Sequence, residues 1–266
     1  MRAHLITGGF PPGSTAGHDM DYARLRLLQL LSDGGAMTTV ASDFTDVAKW
    51  LPGCQLLVTY VAGPFPADAE SAFIERWLED GGKWVALHGT SGGKAARTAD
   101  GKGRKMVKLA HHRALGAFFL NHPPLRRFSV SVEDRSHPLM ADMPASFDVI
   151  DELYLIEVQD PSAKVLLTTD LPEDPSPPGF GFAYDEDTSL LPDGKTRVLG
   201  FVREVGKGAV AYWALGHCHS PATNAQPFVD ESLAADGNTP PIFHGVWEND
   251  AFSRLLSNSI SWADAA

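Results

Sequence analysis

The chain reads as an α/β protein with a mostly parallel sheet flanked by helices and a hairpin toward its C-terminus. Three observations lead there. Short apolar runs without polar alternation recur in the first half, as in strands buried on both faces. Between them lie segments with apolar residues at helical spacing, or turns bounded by glycine. The second half is richer in strands, two of them joined by a tight glycine turn.

Ala3–Gly9 is the first strand. Asp19–Asp33 follows as a helix, with Tyr22, Leu25, Leu28 and Leu31 inward and Gly34-Gly35 as its stop. Met37–Ala41 and Gln55–Val61 are the second and third strands. Asp68–Asp80 is a helix facing the core with Phe73, Ile74, Trp77 and Leu78, and Gly81-Gly82 ends it. Lys83–Leu87 is the fourth strand. A further helix is expected to turn Ala114, Phe118 and Phe119 inward. Phe128–Val132, Ile150–Val158, Val165–Thr169, Val198–Val205 and Ala209–Leu215 read as strands, the last two joined through Gly206-Lys207-Gly208. Asn249–Trp262 closes the chain as a helix. Leu171–Lys195 and Ser220–Val246 lack periodicity, and loops of that length are often lids or binding loops. No repeat or linker divides the 266 residues, so one domain over 1–266 is expected.

Composition excludes several classes. Hydrophobic residues at 44% and charged residues at 21% rule out a disordered chain. A net charge of −11 argues against a nucleic-acid partner, and no apolar run is long enough for a membrane span. Cys54 and Cys218 cannot form a disulfide framework. With a strand starting directly after Met1-Arg2, no signal peptide and a cytoplasmic location are expected. Charge is segregated: seven basic residues from Lys94 to Arg113 against Asp100, and thirteen acids from Asp142 to Asp193 against Lys164. These stretches are expected to attract one another, or the basic one to attract an anionic ligand or partner subunit.

Ligands of open parallel sheets bind beyond the carboxyl ends of the strands. The first strand runs into Gly8-Gly9 and then His18-Asp19, the fourth into His88-Gly89-Thr90-Ser91, and the last into His217-Cys218-His219. Three histidine-bearing strand ends at one edge make a candidate site. His88-Gly89 has the pattern of a nucleophile elbow, but imidazole is a base or metal ligand rather than an acyl-transfer nucleophile. Thr90 and Ser91 are cap hydroxyls or weaker nucleophile candidates. Asp151-Glu152 puts one carboxylate toward the cleft, and Glu152 is the choice, with Tyr154 on its face. His122 is a loop anchor or a ligand, and His111-His112 are expected on a helix surface.

In their order, Gly-Gly…His18-Asp19, Val85-Ala86-Leu87-His88-Gly89, Ala114-Leu115-Gly116-Ala117-Phe118…Asn121-His122-Pro123, His137-Pro138, Asp151-Glu152-Leu153-Tyr154, Ala214-Leu215-Gly216-His217 and Leu256…Asn258…Ile260…Trp262-Ala263 resemble the trehalose-utilisation (ThuA-like) proteins. The resemblance spans nearly the whole chain. It implies a class I glutamine amidotransferase-like, flavodoxin-like fold and a link to sugar catabolism. By chain order His88 stands where the amidotransferase cysteine would be and His217 near the triad histidine. Neither cysteine is at the elbow, so cysteine-dependent glutamine hydrolysis is not expected. The basic Lys94–Lys105 segment and the Ser220–Val246 loop depart from the family pattern.

The expected function is acid–base chemistry on a sugar or keto-sugar by His88, Glu152 and His217. His18, Asp19, Gly89, Thr90, His122, Tyr154 and His219 are expected to bind substrate, and Trp213, Trp247 and Phe243 to stack on sugar faces. The alternative is a non-catalytic sugar-binding or regulatory module. A divalent metal, zinc first, is a possible cofactor, because His18, His88 and His217 with Asp19 or Glu152 offer the right atoms. A small-molecule carbohydrate is the expected partner, and a homo-oligomer is compatible with the sequence.

Overall fold

The computed structural model describes residues 1–9, 17–223 and 226–264. Its first half alternates as expected: β1 (Arg2–Gly8), α1 (Met20–Asp33), β2 (Met37–Ala41), α2 (Val47–Trp50), β3 (Leu56–Val61), α3 (Asp68–Glu79) and β4 (Lys83–Leu87). A 3-10 turn, His88–Ser91, follows. Next come β5 (Lys94–Arg97), β6 (Arg104–Val107), α4 (His111–Leu115), β7 (Ala117–Asn121), β8 (Arg126–Val132), β9 (Ser146–Asp151), β10 (Leu155–Val158) and β11 (Lys164–Asp170). The chain ends through β12 (Thr196–Val205), β13 (Gly208–Trp213) and α5 (Asp250–Asp264).

Nine strands form one mixed sheet in the order β2-β1-β3-β4-β13-β12-β11-β8-β9. From β2 to β13 every neighbouring pair is parallel. From β13 to β9 every pair is antiparallel. The parallel half has the 2-1-3-4-5 order of flavodoxin-like folds, β13 taking the fifth place. All six residues of β3 and of β13 are buried, which is why these runs show no polar alternation. Helices flank the sheet: α1 packs against α5, and α3 against α2 and α4.

Four local expectations are corrected. The inward helix at 114–119 is instead α4 followed by β7; Gly116, at φ +82°, ends the helix and starts a strand of all-buried residues. The single strand at 150–158 is split into β9 and β10 around residues 152–154. In α1 the buried stripe is Ala23, Leu27 and Leu31, while Leu25 is 65% exposed, so the face was read out of phase. His111 and His112 are buried, because their rings fold under the turn after β4 instead of facing solvent.

The two long aperiodic segments are held by specific anchors. Buried Arg197 donates to both carboxylate oxygens of Asp187 (3.0 and 2.9 Å) and to the Leu171 carbonyl (2.6 Å), pinning the 171–195 segment. Asn121 donates to Asp174 (3.0 Å) and accepts from the Phe182 amide (2.9 Å). In the 220–246 loop, of which Asn224 and Ala225 lie outside the described residues, Val229 and Phe243 form a small second core with Leu125.

Candidate functional site

The turn after β4 fixes the first ligand. His88 sits at φ +44°, a left-handed conformation rare for a side chain-bearing residue. It is stabilised from below: its carbonyl accepts from Tyr212 (2.9 Å) and Ser91 (3.3 Å) hydroxyls. The next residue must be glycine, since a Cβ at Gly89 would lie 2.4 Å from the Val61 carbonyl oxygen. The His88 ring is thereby lifted off the sheet edge, as a nucleophile elbow lifts its serine or cysteine.

Three imidazoles and one carboxylate meet there. His18, His88, Glu152 and His217 are all buried, and one ligand atom from each lies within 4.8 Å of the others. His18 Nδ1 is 3.0 Å from His217 Nδ1, His217 Nδ1 is 3.1 Å from Glu152 Oε1, and His88 Nε2 is 3.2 Å from Glu152 Oε2. His122 Nε2 approaches Glu152 Oε1 at 3.5 Å, and the Gln226 amide donates to the same oxygen.

The outer hydrogen bonds decide which nitrogens carry protons. A carbonyl only accepts, so His88 Nδ1 donates to Ala214 O (2.7 Å), and neutral His88 presents a lone pair at Nε2. Likewise His219 Nε2 donates to Pro240 O (2.7 Å). His219 Nδ1 must then accept from His217 Nε2 (2.9 Å), which leaves a lone pair on His217 Nδ1. Burial lowers His217 to about 4 and pushes His18 well below the ordinary histidine range. Burial pushes Glu152 up, but His122 and His217 outweigh it and hold the carboxylate well below its usual range. In the neutral tautomers the lone pairs of His88 and His217 face the Glu152 carboxylate at contact distance, an arrangement that a cation at the centre, a metal ion or a proton, stabilises. Donors about 2.0–2.1 Å from a tetrahedral zinc stand roughly 3.3 Å apart; three separations here are 3.0, 3.1 and 3.2 Å, and the whole set lies within 4.8 Å. The residues fit that ion.

Behind this cluster, Asp151 ties the two halves of the sheet together by accepting from the Gly216 (2.7 Å) and His217 (2.8 Å) amides. Burial raises Asp151 to about 7. In front lies a cavity of about 870 Å³, reached by His18, His122, Glu152, Tyr154, Gly89 and Gln226. Its walls are aromatic: Phe65, Phe119, Phe180 and Phe182. Tyr154 stacks on His88 at 3.9 Å between ring centroids, and burial followed by the Glu152 charge keeps its phenol protonated. The 220–246 loop passes over this cavity, since Gln226 and Pro227 line it, and Phe228 meets Phe180 of the other loop at 5.3 Å.

Several expected binding residues are elsewhere. Asp19 caps α1, accepting from the Tyr22 amide (3.0 Å), and does not line the cavity. Thr90 is buried against β3, bonded to the Thr59 hydroxyl and carbonyl (both 3.1 Å). His219 stands behind His217 and orients it instead of touching substrate. Trp213 and Trp247 are core residues bonded to Ser259 and Gly216, and Phe243 packs on His219. Cys218 is a buried thiol pushed up to about 12 by desolvation, with no elbow position.

The trehalose-utilisation family model, ThuA, matches residues 15–233. The chain belongs to the ThuA family. Two solved ThuA-like proteins share its fold: one from Bacteroides uniformis (16% identity, TM-score 0.60, covering 98% of this chain and 90% of that one) and one from Parabacteroides merdae (17%, 0.58, 98% and 89%). A β-galactosidase from Rahnella sp. R3 is similar over 80% of this chain and 28% of its own (14%, TM-score 0.53). At these identities the likeness is one of fold. No curated protein matches the sequence. Among the described residues no helix is long and apolar enough to cross a membrane.

Sequence reasoning missed Gln226, Phe180 and Phe182 in this ThuA-family cavity, all on the aperiodic loops. The one available signal was the length of those loops. It also missed the hairpin β5–β6, whose Lys94 and Arg104 line the mouth.

Proposed function

We propose that this ThuA-family protein is a carbohydrate-processing enzyme acting by acid–base chemistry on a sugar or keto-sugar at a divalent metal centre, zinc being the ion its donors suit. One observation carries the reading: buried imidazole lone pairs and an ionised carboxylate converge at the inner end of a cavity walled by aromatic rings. His18, His88 and His217 would hold the ion, with Glu152 beside it. Such an ion supplies Lewis-acid polarisation of a substrate oxygen.

The chain's own groups supply the rest. Glu152 is the cavity-facing base, taking a proton on its carboxylate, and such a positioned group contributes roughly 10²–10⁴-fold. His122, on the cavity wall, bonds Pro123 O through Nδ1 (2.8 Å) and keeps Nε2 toward Glu152, a route for that proton. Tyr154, held as a phenol, is a donor to a developing oxyanion. The aromatic walls accept the apolar faces of sugar rings, and the two loops exclude water.

Elemental analysis of untagged protein before and after chelation, paired with NMR detection of turnover of trehalose, its keto derivatives and sugars bearing a carboxylate or phosphate, tests this. About one zinc per chain and activity lost with it support the reading. Sub-stoichiometric metal with activity that survives chelation removes the metal and leaves His88, Glu152 and His217 as proton-transfer groups. Thermal stabilisation by sugars with no turnover of any would favour the sugar-binding module.

A further inference from the structure

The seven basic residues between Lys94 and Arg113 separate, once folded, into three groups, of which Arg97 and Lys102 are exposed hairpin residues away from the cavity. Lys105, Lys108 and Arg113 point outward and are matched by Asp185, Glu157 and Glu75, each at 2.6 Å. Lys94 and Arg104 line the cavity mouth, and among the described residues no carboxylate lies within ion-pair distance of either. In the paired strands Lys94–Arg97 and Arg104–Val107, Lys94 stands opposite Val107 and Arg104 opposite Arg97, so the two cations line the cavity from different ends of the hairpin.

Arg104 is also held in place. Its guanidinium carbon lies 5.2 Å from the Phe182 ring centroid, and its carbonyl accepts from the Ala183 amide (2.8 Å). Stacking on the ring face leaves the guanidinium edges, with their N–H donors, open to a ligand. Glu152 is the only carboxylate among the described cavity-lining residues, and it is buried at the inner end. The cavity therefore runs from an inner centre, through aromatic walls, to a cationic mouth. The rest of the chain carries a net charge that would repel anions, so two unmatched cations at this one place are a local reversal.

We propose that the substrate is a carbohydrate bearing an anionic group, a carboxylate or a phosphate, received by Lys94 and Arg104 while its ring lies along Phe182. The inference rests on the carbohydrate reading above. It adds that a neutral sugar is the wrong charge class.

Isothermal titration of the full, zinc-loaded protein with D-glucuronate, D-glucose 6-phosphate and methyl D-glucoside decides it. At least one anionic sugar should bind about tenfold or more tighter than the neutral glycoside, the lower range of a charge-assisted hydrogen bond. That advantage should vanish in Lys94→Ala/Arg104→Ala and persist in Arg97→Ala/Lys102→Ala, which removes equal charge from exposed hairpin positions that do not line the cavity. The preferred anion separates carboxylate from phosphate. Equal binding of the neutral glycoside, equal loss in both double variants, or no binding of either acid overturns the proposal. Zinc content, and whether turnover of any sugar is lost on chelation, do not depend on the charge of the sugar preferred, so its failure is distinguishable from failure of the enzyme reading.

Discussion

The parallel and antiparallel halves of the sheet contribute different things to one cavity. The parallel half supplies His88 directly after β4, His217 shortly after β13 and His18 just ahead of α1, every ring buried. Glu152 follows β9; of the aromatic wall, Phe65 follows β3, Phe119 lies in β7, and Phe180 and Phe182 lie in the segment after β11, while the lid residues come after β13. The inner centre is thus built on strand ends whose position the sheet dictates. The mouth is built on the β5–β6 hairpin and on a loop whose position depends on single anchors such as Arg197 and Asn121. A scaffold of this kind can keep its chemistry while its loops change the substrate it admits.

That division can be broken at graded points. Glu152→Gln should have the largest effect, a loss of roughly 10²–10⁴-fold in turnover with folding intact, measured by kcat against the far-ultraviolet spectrum. Retention of near-full activity would move the base elsewhere. His219→Ala should come next. It touches no cavity, yet it frees the His217 Nε2 proton, and zinc affinity should fall about 10–100-fold as for other groups that orient a ligand; competition with a chromogenic chelator reads this directly. An unchanged affinity would show that the loop's Pro240 has no hold on the centre.

Gly89→Ala tests the rigid half by packing alone. Its Cβ would crowd the Val61 carbonyl, and a loss of about 1–3 kcal/mol in urea unfolding is expected. Next is the pH dependence of His111, which stacks on Phe65 and bonds the Thr90 carbonyl (3.3 Å). Burial lowers it from 6.5 to about 3, so between those values the unfolded chain binds a proton that the folded chain does not. Its contribution is complete above pH 6.5 and falls with acidification toward pH 3, by up to about 1.4 kcal/mol per pH unit. In His111→Phe the slope of stability against pH over that window should be shallower; an identical slope would assign the effect to other histidines. Smallest of all is Arg113→Ala, which breaks an exposed pair with Glu75 on the outside of the basic stretch. It should leave the urea unfolding midpoint close to that of the parent protein and sugar binding as it was.

The parallel half was legible in the sequence. The expected bounds of β2 and β4 match to the residue, and those of β1 and β3 to within one; β3 and β4 are buried apolar runs, whereas β2 is an edge strand with no buried residue, marked only by its β-branched residues. The strands outside it, including the separate β7–β10 pair, are less so. β7 was read as a helix, since Phe118 and Phe119 follow the short α4 and only the left-handed Gly116 marks the change. β9 and β10 were fused, because nothing local announces that residues 152–154 leave the sheet to reach the site.

By itself, the sequence determined that three histidines would stand at the carboxyl ends of three strands and that no cysteine would hold the elbow. Strand ends in a parallel sheet share an edge whatever the loops do. Only the tertiary structure decided how those rings meet. His18 and His217 are 199 positions apart. The lone pair on His217 is set by His219 and, behind it, by Pro240 of a loop with no periodicity. Likewise, whether a lysine or arginine in the basic stretch is neutralised or left open depends on acids 49 or 80 residues away for Lys108 and Lys105, and 38 residues before Arg113. Proton positions and charge pairing are properties of contacts between distant segments, and local pattern carries no record of them.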